Sequence, residues 1–292
     1  MNSSASQSLK ELESKETRRT RLRPSTSESE QYIFIMRAGE TIDEVFPNWI
    51  EQSHLDQNYY CPFNLNIPIE LPRRENNAHE YAIDPPLSEC GMAMSQIVAR
   101  QLRKKRINLR YIFSSPALAC IQTATQLAKI LRKTGIICVE GGISGDAESM
   151  NVSMSLESLL KQHYPIDITY KPILNKLPNE DFEEIIERIV GIFKELSSKG
   201  TPSLFVCDTL AMYAICTATE RQFRPRGIIR DTYIKQAFPA ASIMTLRRHK
   251  IDEQTGFELL PDYLSPITHI AGCTRINPTY LHNDENEDIV RQ

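Results

Sequence analysis

The chain has 292 residues, of which 41% are hydrophobic and 24% are charged, a composition typical of a soluble globular protein with one large domain or two small ones. Its formal charge is −3, from 34 Lys and Arg against 37 Asp and Glu, which argues against a general nucleic-acid-binding protein because such proteins usually carry a basic excess. No apolar stretch approaches the roughly 18 residues that a helix needs to cross a bilayer, and residues 1–16 lack the apolar core of a signal peptide.

The two ends of the chain differ in composition from its middle. Residues 1–30 mix serine, threonine and charged side chains without an aromatic residue, so we predict a disordered tail. The segment contains four closely spaced arginines, which are Arg18, Arg19, Arg21 and Arg23. The favoured interpretation is a solvated tail, and the alternative is a nuclear-localisation or phosphorylation patch. Residues 282–292 are predicted as an acidic tail, which leaves 31–281 as one folded domain.

Apolar runs and amphipathic helical patterns alternate between the two tails. Short apolar runs predict buried strands over 32–36, 110–115, 136–140 and 203–208. Helical spacing of apolar residues predicts helices over 88–105, 117–133 and 181–198, and the segments 241–248 and 257–261 predict an edge hairpin. Short buried strands that alternate with helices indicate an α/β three-layer sandwich with a mostly parallel central sheet covered by helices on both faces.

In a parallel α/β sheet, functional sites form where strands end and helices begin. Four segments of this chain follow predicted strands, namely MRAGE (36–40), SSPALACIQTA (114–124), VEGGISGDAES (139–149) and VCDTLAMY (206–213). Because parallel strands end at the same edge of a sheet, these segments are the candidates for a shared site.

These segments, in this order along the chain, resemble the histidine phosphatase superfamily, which has the phosphoglycerate-mutase-like fold. The similarity is greatest to the C-terminal phosphatase domain of the ubiquitin-associated and SH3 domain-containing proteins. Further matching pieces are YYCPFNLNIPIELPRR (59–74), DPPLSECGMAMSQ (84–96), HYPIDITYKP (163–172) and FPAASIMTL (238–246). The resemblance implies the three-layer fold, and it also implies a homodimer, because related phosphatase domains form one.

The resemblance also implies a covalent mechanism, in which the histidine of an Arg-His-Gly motif attacks phosphorus. Arginines and a second histidine hold the phosphoryl oxygens, and a carboxylic acid protonates the leaving oxygen. In this sequence Arg37 and Gly39 match the motif, but Ala38 stands in the place of the nucleophile. Asp208 stands in the place of the second histidine.

Three further positions depart from the family pattern. Thr41 occupies a position where similar relatives carry an additional arginine, and Ala119 replaces the arginine of the usual SPALRC run. Gly145 falls at the position of the acid. A cysteine site at Cys120 or Cys207 is less favoured than a core role for both thiols. Asp146 and Glu148 are weighed as replacement acids and interpreted as surface carboxylates.

We therefore predict a catalytically inactive, histidine phosphatase-like protein that serves as a protein-interaction or scaffold module, with a vestigial pocket and without a cofactor. Two alternatives stay open, a sensor that binds a phosphoester without turnover and a phosphatase with altered chemistry. Arg37 is predicted to pair with Asp208, because a buried arginine without a partner is costly.

The cysteines and histidines bear on location and on metals. The seven cysteines contain no CxxC pair and are predicted to be reduced, which favours the cytoplasm, with the nucleus as an alternative. None of the six histidines has another at i+3 or i+4, so no metal site is predicted. The expected partners are proteins, including a second copy of this chain, and neither nucleic acid nor a membrane is expected.

Overall fold

The computed structural model of the chain describes residues 32–57, 59–75, 77–133, 136–198, 201–225, 231–251, 254–269 and 272–282. The predicted tail over 1–30 and nearly all of the predicted tail over 282–292 lie outside the described residues. Their boundaries therefore stay predictions.

A six-stranded sheet forms the centre of the molecule, in the order β3-β2-β4-β1-β5-β6. The four strands β1 to β4 run parallel to one another, and β5 and β6 form an antiparallel hairpin at one edge. The strands are Tyr32–Arg37 (β1), Tyr111–Ser114 (β2), Ile137–Val139 (β3), Ser203–Cys207 (β4), Ile243–Ile251 (β5) and Gln254–Leu259 (β6), with a separate pair at Thr268–His269 (β7) and Gly272–Cys273 (β8). The predicted strands and the predicted edge hairpin are confirmed.

The helices include the three that the sequence predicts and several shorter ones that it does not. They are Ile42–Val45 (α1), Trp49–Gln52 (α2), Asn77–Ile83 (α3), Glu89–Lys104 (α4), Leu118–Leu131 (α5), Ala147–Asn151 (α6), Leu156–Lys161 (α7), Phe182–Ser197 (α8), Thr209–Thr219 (α9) and Asp231–Ala237 (α10). Ser88 caps α4 by accepting a hydrogen bond from the Gly91 amide, as its predicted N-cap role requires. Among the described residues, no helix combines the length and apolar character needed to span a bilayer.

Two apolar layers enclose the sheet, because successive side chains of a strand point to opposite faces. In β1, Phe34 and Met36 pack in the cluster formed with α4 and α5, whereas Ile33 and Ile35 pack in the cluster formed with α8 and α9. The α/β three-layer sandwich with a mostly parallel sheet is confirmed.

A third, smaller cluster lies beneath the segment between β1 and α4, where Trp49 and Tyr81 pack with Leu118 at the start of α5. Beside it, the buried guanidinium of Arg74 pairs with the buried carboxylate of Asp84. Asp84 Oδ1 also accepts a hydrogen bond from the Leu118 amide at 2.7 Å. The ion pair therefore links this segment to the first turn of α5.

Candidate functional site

The carboxyl ends of the parallel strands meet at one edge of the sheet, as the strand order requires. The amide of Ala38, directly after β1, donates to the carbonyl of Cys207 at 3.0 Å. The amide of Gly39 donates to Thr123 Oγ1 of α5 at 2.9 Å. Ala38 and Ala119 are both buried and belong to the same apolar cluster. The predicted gathering of these strand-end residues is therefore present, and the two alanines contribute methyl groups to it.

Arg37 is buried at the end of β1, and both terminal nitrogens of its guanidinium have partners within the protein. Nη1 donates to the carbonyl of Phe238 at 2.7 Å, and Nη2 pairs with Glu44 Oε1. The predicted ion pair between Arg37 and Asp208 is therefore wrong, and Glu44 is the partner.

The physical reason for this difference is the one-turn helix α1. Thr41 is its N-cap, and Glu44, three residues later, returns Oε2 to the Thr41 amide at 3.1 Å. This capping box holds the Glu44 carboxylate beside Arg37. The Thr-x-x-Glu spacing at 41–44 is the sequence signal that could have predicted it.

Asp208 caps helix α9 and simultaneously binds the loop after β3. Its Oδ1 accepts from the Ala211 amide at 2.8 Å, and its Oδ2 accepts from the Gly145 amide at 2.7 Å. Burial raises the pKa of Asp208 above its ordinary value, although the two backbone hydrogen bonds oppose that shift.

Gly145 and Asp208 are sterically matched to one another. A Cβ atom on Gly145 would lie 2.7 Å from Asp208 Oδ1 and 2.8 Å from Leu210 Cβ, closer than real Cβ atoms approach other atoms. The backbone of residue 145 and the side chain of residue 208 are therefore in direct contact, and a larger residue at 145 would require one of them to move.

A family model described as "Histidine phosphatase superfamily (branch 1)" matches residues 72–226, which is more than half of the chain. The chain belongs to the histidine phosphatase superfamily. The resemblance drawn from the sequence motifs is confirmed.

Two kinds of curated proteins are among those similar to this chain. The human ubiquitin-associated and SH3 domain-containing protein A is 35% identical over 256 residues, which cover 82% of this chain and 38% of the relative. The ecdysteroid-phosphate phosphatase of Drosophila melanogaster is 24% identical over 249 residues, which cover 81% of this chain and 32% of the relative. The chain therefore spans between 32% and 38% of the length of these relatives.

The solved structure of an ecdysone phosphate phosphatase from Bombyx mori, in complex with tungstate, has a similar fold. Its TM-score is 0.64 at 21% sequence identity, over 83% of this chain and 96% of that one. At this identity the similarity shows the fold, which matches the three-layer sandwich described above.

Two charged residues hold the loop that carries Gly145 in this superfamily member, and they are Glu140, which is buried, and Arg188, which is partly buried. The carboxylate of Glu140 is fully buried and accepts from the Gly142, Ile173 and Leu174 amides and from the Tyr170 hydroxyl. Arg188 of α8 pairs with Glu180 and donates through Nη1 to two carbonyls of the same loop, at 2.8 and 3.0 Å. Sequence reasoning missed both residues, because most of the partners of Glu140 and the loop carbonyls that Arg188 binds are distant from them along the chain.

The alternative groups weighed from the sequence have structural roles in this fold. Cys120 and Cys207 are buried, and burial together with the nearby Asp208 carboxylate raises the pKa of both thiols well above the usual value. Asp146 is exposed and caps α6 by accepting from the Glu148 amide at 2.9 Å. Within the described part of the chain, no group of three His, Cys, Asp or Glu residues is placed to hold a metal ion.

Substituting Gly145 by alanine should lower the free energy of unfolding by about 1–3 kcal/mol, because the added methyl group overpacks the contact with Asp208. The loss should be smaller in an Asp208→Gly background, with a coupling energy above about 0.5 kcal/mol in a double-mutant cycle measured by urea denaturation. Strict additivity of the two changes would contradict the proposed contact. Gly191→Ala is the control, because a Cβ at that exposed helical position meets no atom within 4 Å.

Proposed function

We propose that this chain is a non-catalytic member of the histidine phosphatase superfamily, which acts as a protein-interaction or scaffold module. The observation that supports it most directly is Ala38 in the turn after β1. From the motif resemblance this is the position of the nucleophilic histidine, and a methyl group has no lone pair with which to attack phosphorus.

The charges around Ala38 support the same proposal. Phosphoryl transfer needs positive groups around the equatorial oxygens, and Arg37 is already paired with Glu44. Asp208 adds a carboxyl group at the same edge of the sheet, and Ala119 adds no charge. An ionised Asp208 would repel a phosphate 4 Å away by about 4 kcal/mol at an effective dielectric constant of about 20, which disfavours phosphate binding there.

A phosphatase with altered chemistry is the second candidate, and it is supported by the similarity to ecdysteroid-phosphate phosphatases. Such an enzyme would need another nucleophile at the site. The nearest thiols, Cys120 and Cys207, are buried with raised pKa values, which disfavours the reactive thiolate.

Three further proposals concern the partners, the oligomeric state and the location of the chain. We propose protein partners, a homodimer by similarity to related phosphatase domains, and a location in the cytoplasm or nucleus. The apolar side chains of Tyr59, Leu65 and Ile69, which are 63%, 98% and 81% exposed, support an interaction role.

The purified chain should not hydrolyse an aryl phosphate above the rate of an Arg37→Ala preparation made in parallel. Any shared residual rate would then be contaminant background. Turnover by the wild type that is lost in the variant would overturn the non-catalytic proposal. Inorganic phosphate should also leave the melting temperature unchanged, whereas a rise that requires Arg37 would favour the phosphoester sensor.

A further inference from the structure

A groove of about 890 Å³ lies along the outer side of α5, away from the strand-end site. One face of α5 forms its floor, and the segment 68–73 and residues 158–164 form its walls. Thr123 of the same helix faces the strand-end site through its bond to Gly39, so α5 separates the two regions. The volume lies within the range of about 300–1,000 Å³ that is typical of ligand sites.

The walls and floor of the groove are held by specific hydrogen bonds. The Gln162 side chain accepts from the Arg73 amide at 2.8 Å and donates to the Arg73 carbonyl at 3.0 Å, which joins the two walls. On the floor, Gln126 is 7% exposed, and its Oε1 accepts from Gln96 at 3.0 Å. The Gln126 amide nitrogen has no hydrogen-bond partner among the described residues, so its donors are available to a bound molecule.

The charges that line the groove are mainly positive, although the whole chain carries a formal charge of −3. Arg73, Lys129 and Lys161 line it together with His163, against one acid, Glu70. None of the ion pairs formed within the described residues involves Arg73 or Lys129. Lys161 pairs with Glu157 at a largely exposed position, where such a pair contributes little to stability. The groove is therefore a local cationic surface on an acidic protein.

We propose that this groove binds an acidic peptide segment. Arg73 and Lys129 pair with its carboxylate or phosphate groups, and Gln126 bonds to its main chain, much as Gln162 already bonds to the main chain of Arg73. A peptide fits better than a compact ligand because the cations lie on separate walls and on the floor of an open groove. The inference rests on the proposed interaction role, but it concerns a different site, and peptide binding is measured separately from turnover.

The test uses fluorescein-labelled hexaglutamate and the full chain, with binding followed by fluorescence anisotropy at about 50 mM salt, where surface charges are weakly screened. We expect binding that Lys129→Glu weakens at least about tenfold and Arg73→Glu weakens similarly. The matched control is Lys104→Glu, which changes the net charge equally on an exposed turn of α4. This residue lies about 18 Å along α4 from Met92, the helix residue that lines the groove. It should change the affinity less than about twofold.

Two further binding measurements complete the test, one with an uncharged variant and one with a second peptide. Gln126→Ala leaves the net charge unchanged and should also weaken binding. If binding depended only on the attraction between opposite charges, this variant would bind as tightly as the wild type. A peptide with one phosphoserine among neutral residues distinguishes phosphate from carboxylate, and binding of either peptide that is lost in Lys129→Glu supports the proposal. Equal affinities of the Lys129→Glu and Lys104→Glu variants, or the absence of binding by both peptides, would overturn it. Circular dichroism melting of each variant excludes misfolding as the cause of a loss.

Discussion

Replacing Arg74 by methionine should lower the free energy of unfolding by about 3–5 kcal/mol, because the change leaves the Asp84 carboxylate buried without its partner. The side chains of Arg74 and Asp84 are only 1% and 2% exposed. Arg74 also donates to the Val152 carbonyl at 2.9 Å and lies over the ring of Tyr81 at 5.0 Å. Urea denaturation of the variant beside the wild type measures the loss.

The neighbouring arginine is a matched control for this experiment. Arg73 is exposed and forms no ion pair within the described residues, so Arg73→Met should change the free energy of unfolding by less than about 0.5 kcal/mol. A similar loss in both variants would show that Arg74 has no special role in stability.

The Arg74→Met deficit should also depend on pH. Burial raises the pKa of Asp84 above its ordinary value, and the adjacent Arg74 opposes that shift, so removing Arg74 should raise this pKa further. When the pKa of a carboxyl group is higher in the folded state than in the unfolded state, the free energy of unfolding of the protein falls as the pH rises between the two pKa values. The variant should therefore lie closer to the wild type at about pH 5 than at about pH 7.5, and a deficit that grows at the lower pH would contradict this account.

Replacing Glu140 by alanine should cost about 3–5 kcal/mol of unfolding free energy, because it leaves several buried hydrogen-bond donors without an acceptor. Glu140 accepts from three backbone amides and from the hydroxyl of Tyr170, at distances between 2.6 and 3.0 Å. Glu140→Gln should cost less, because the amide keeps one acceptor oxygen in place. Thermal and urea unfolding measure both variants.

A control for Glu140 lies in helix α6, which directly follows the same loop. Glu148 is exposed, and Glu148→Ala should change stability by less than about 0.5 kcal/mol. The two substitutions remove the same side chain and the same charge, so their difference isolates burial and hydrogen bonding. A loss below about 1 kcal/mol for Glu140→Ala would mean that the loop relaxes and finds other acceptors.

The prediction of the main elements from sequence succeeded where the signal is local. The apolar run at 32–36 and the helical spacing at 88–105 each lie within a few turns of chain, so burial and periodicity can be read directly. The short helices α1, α2, α3, α6, α7 and α10 were not predicted, because a helix of one or two turns carries too few periodic positions. The longer helix α9 was also not predicted, because its consecutive residues are buried and it therefore lacks the alternation of apolar and polar faces.

The site could be predicted in part, because the topology of the sheet determines which strand ends lie close together. Parallel strands end at one edge, so Arg37 and Asp208 could be expected near each other from their strands alone. Their pairing could not be predicted, since hydrogen bonds with Glu44, Gly145 and Ala211 compete for the same groups. Each of these contacts depends on where a short helix or loop is placed.

The sequence by itself determined the order of strands and helices, the superfamily and the residue types at the strand ends, because these depend on local patterns and on covalent order. The tertiary structure alone decided which charges meet. Glu44 pairs with Arg37, Asp208 accepts a hydrogen bond from the Gly145 amide, and Asp84 pairs with Arg74. The physical reason is that a buried charge takes whichever partner the packed chain brings within hydrogen-bond distance, and that distance is set by the whole fold.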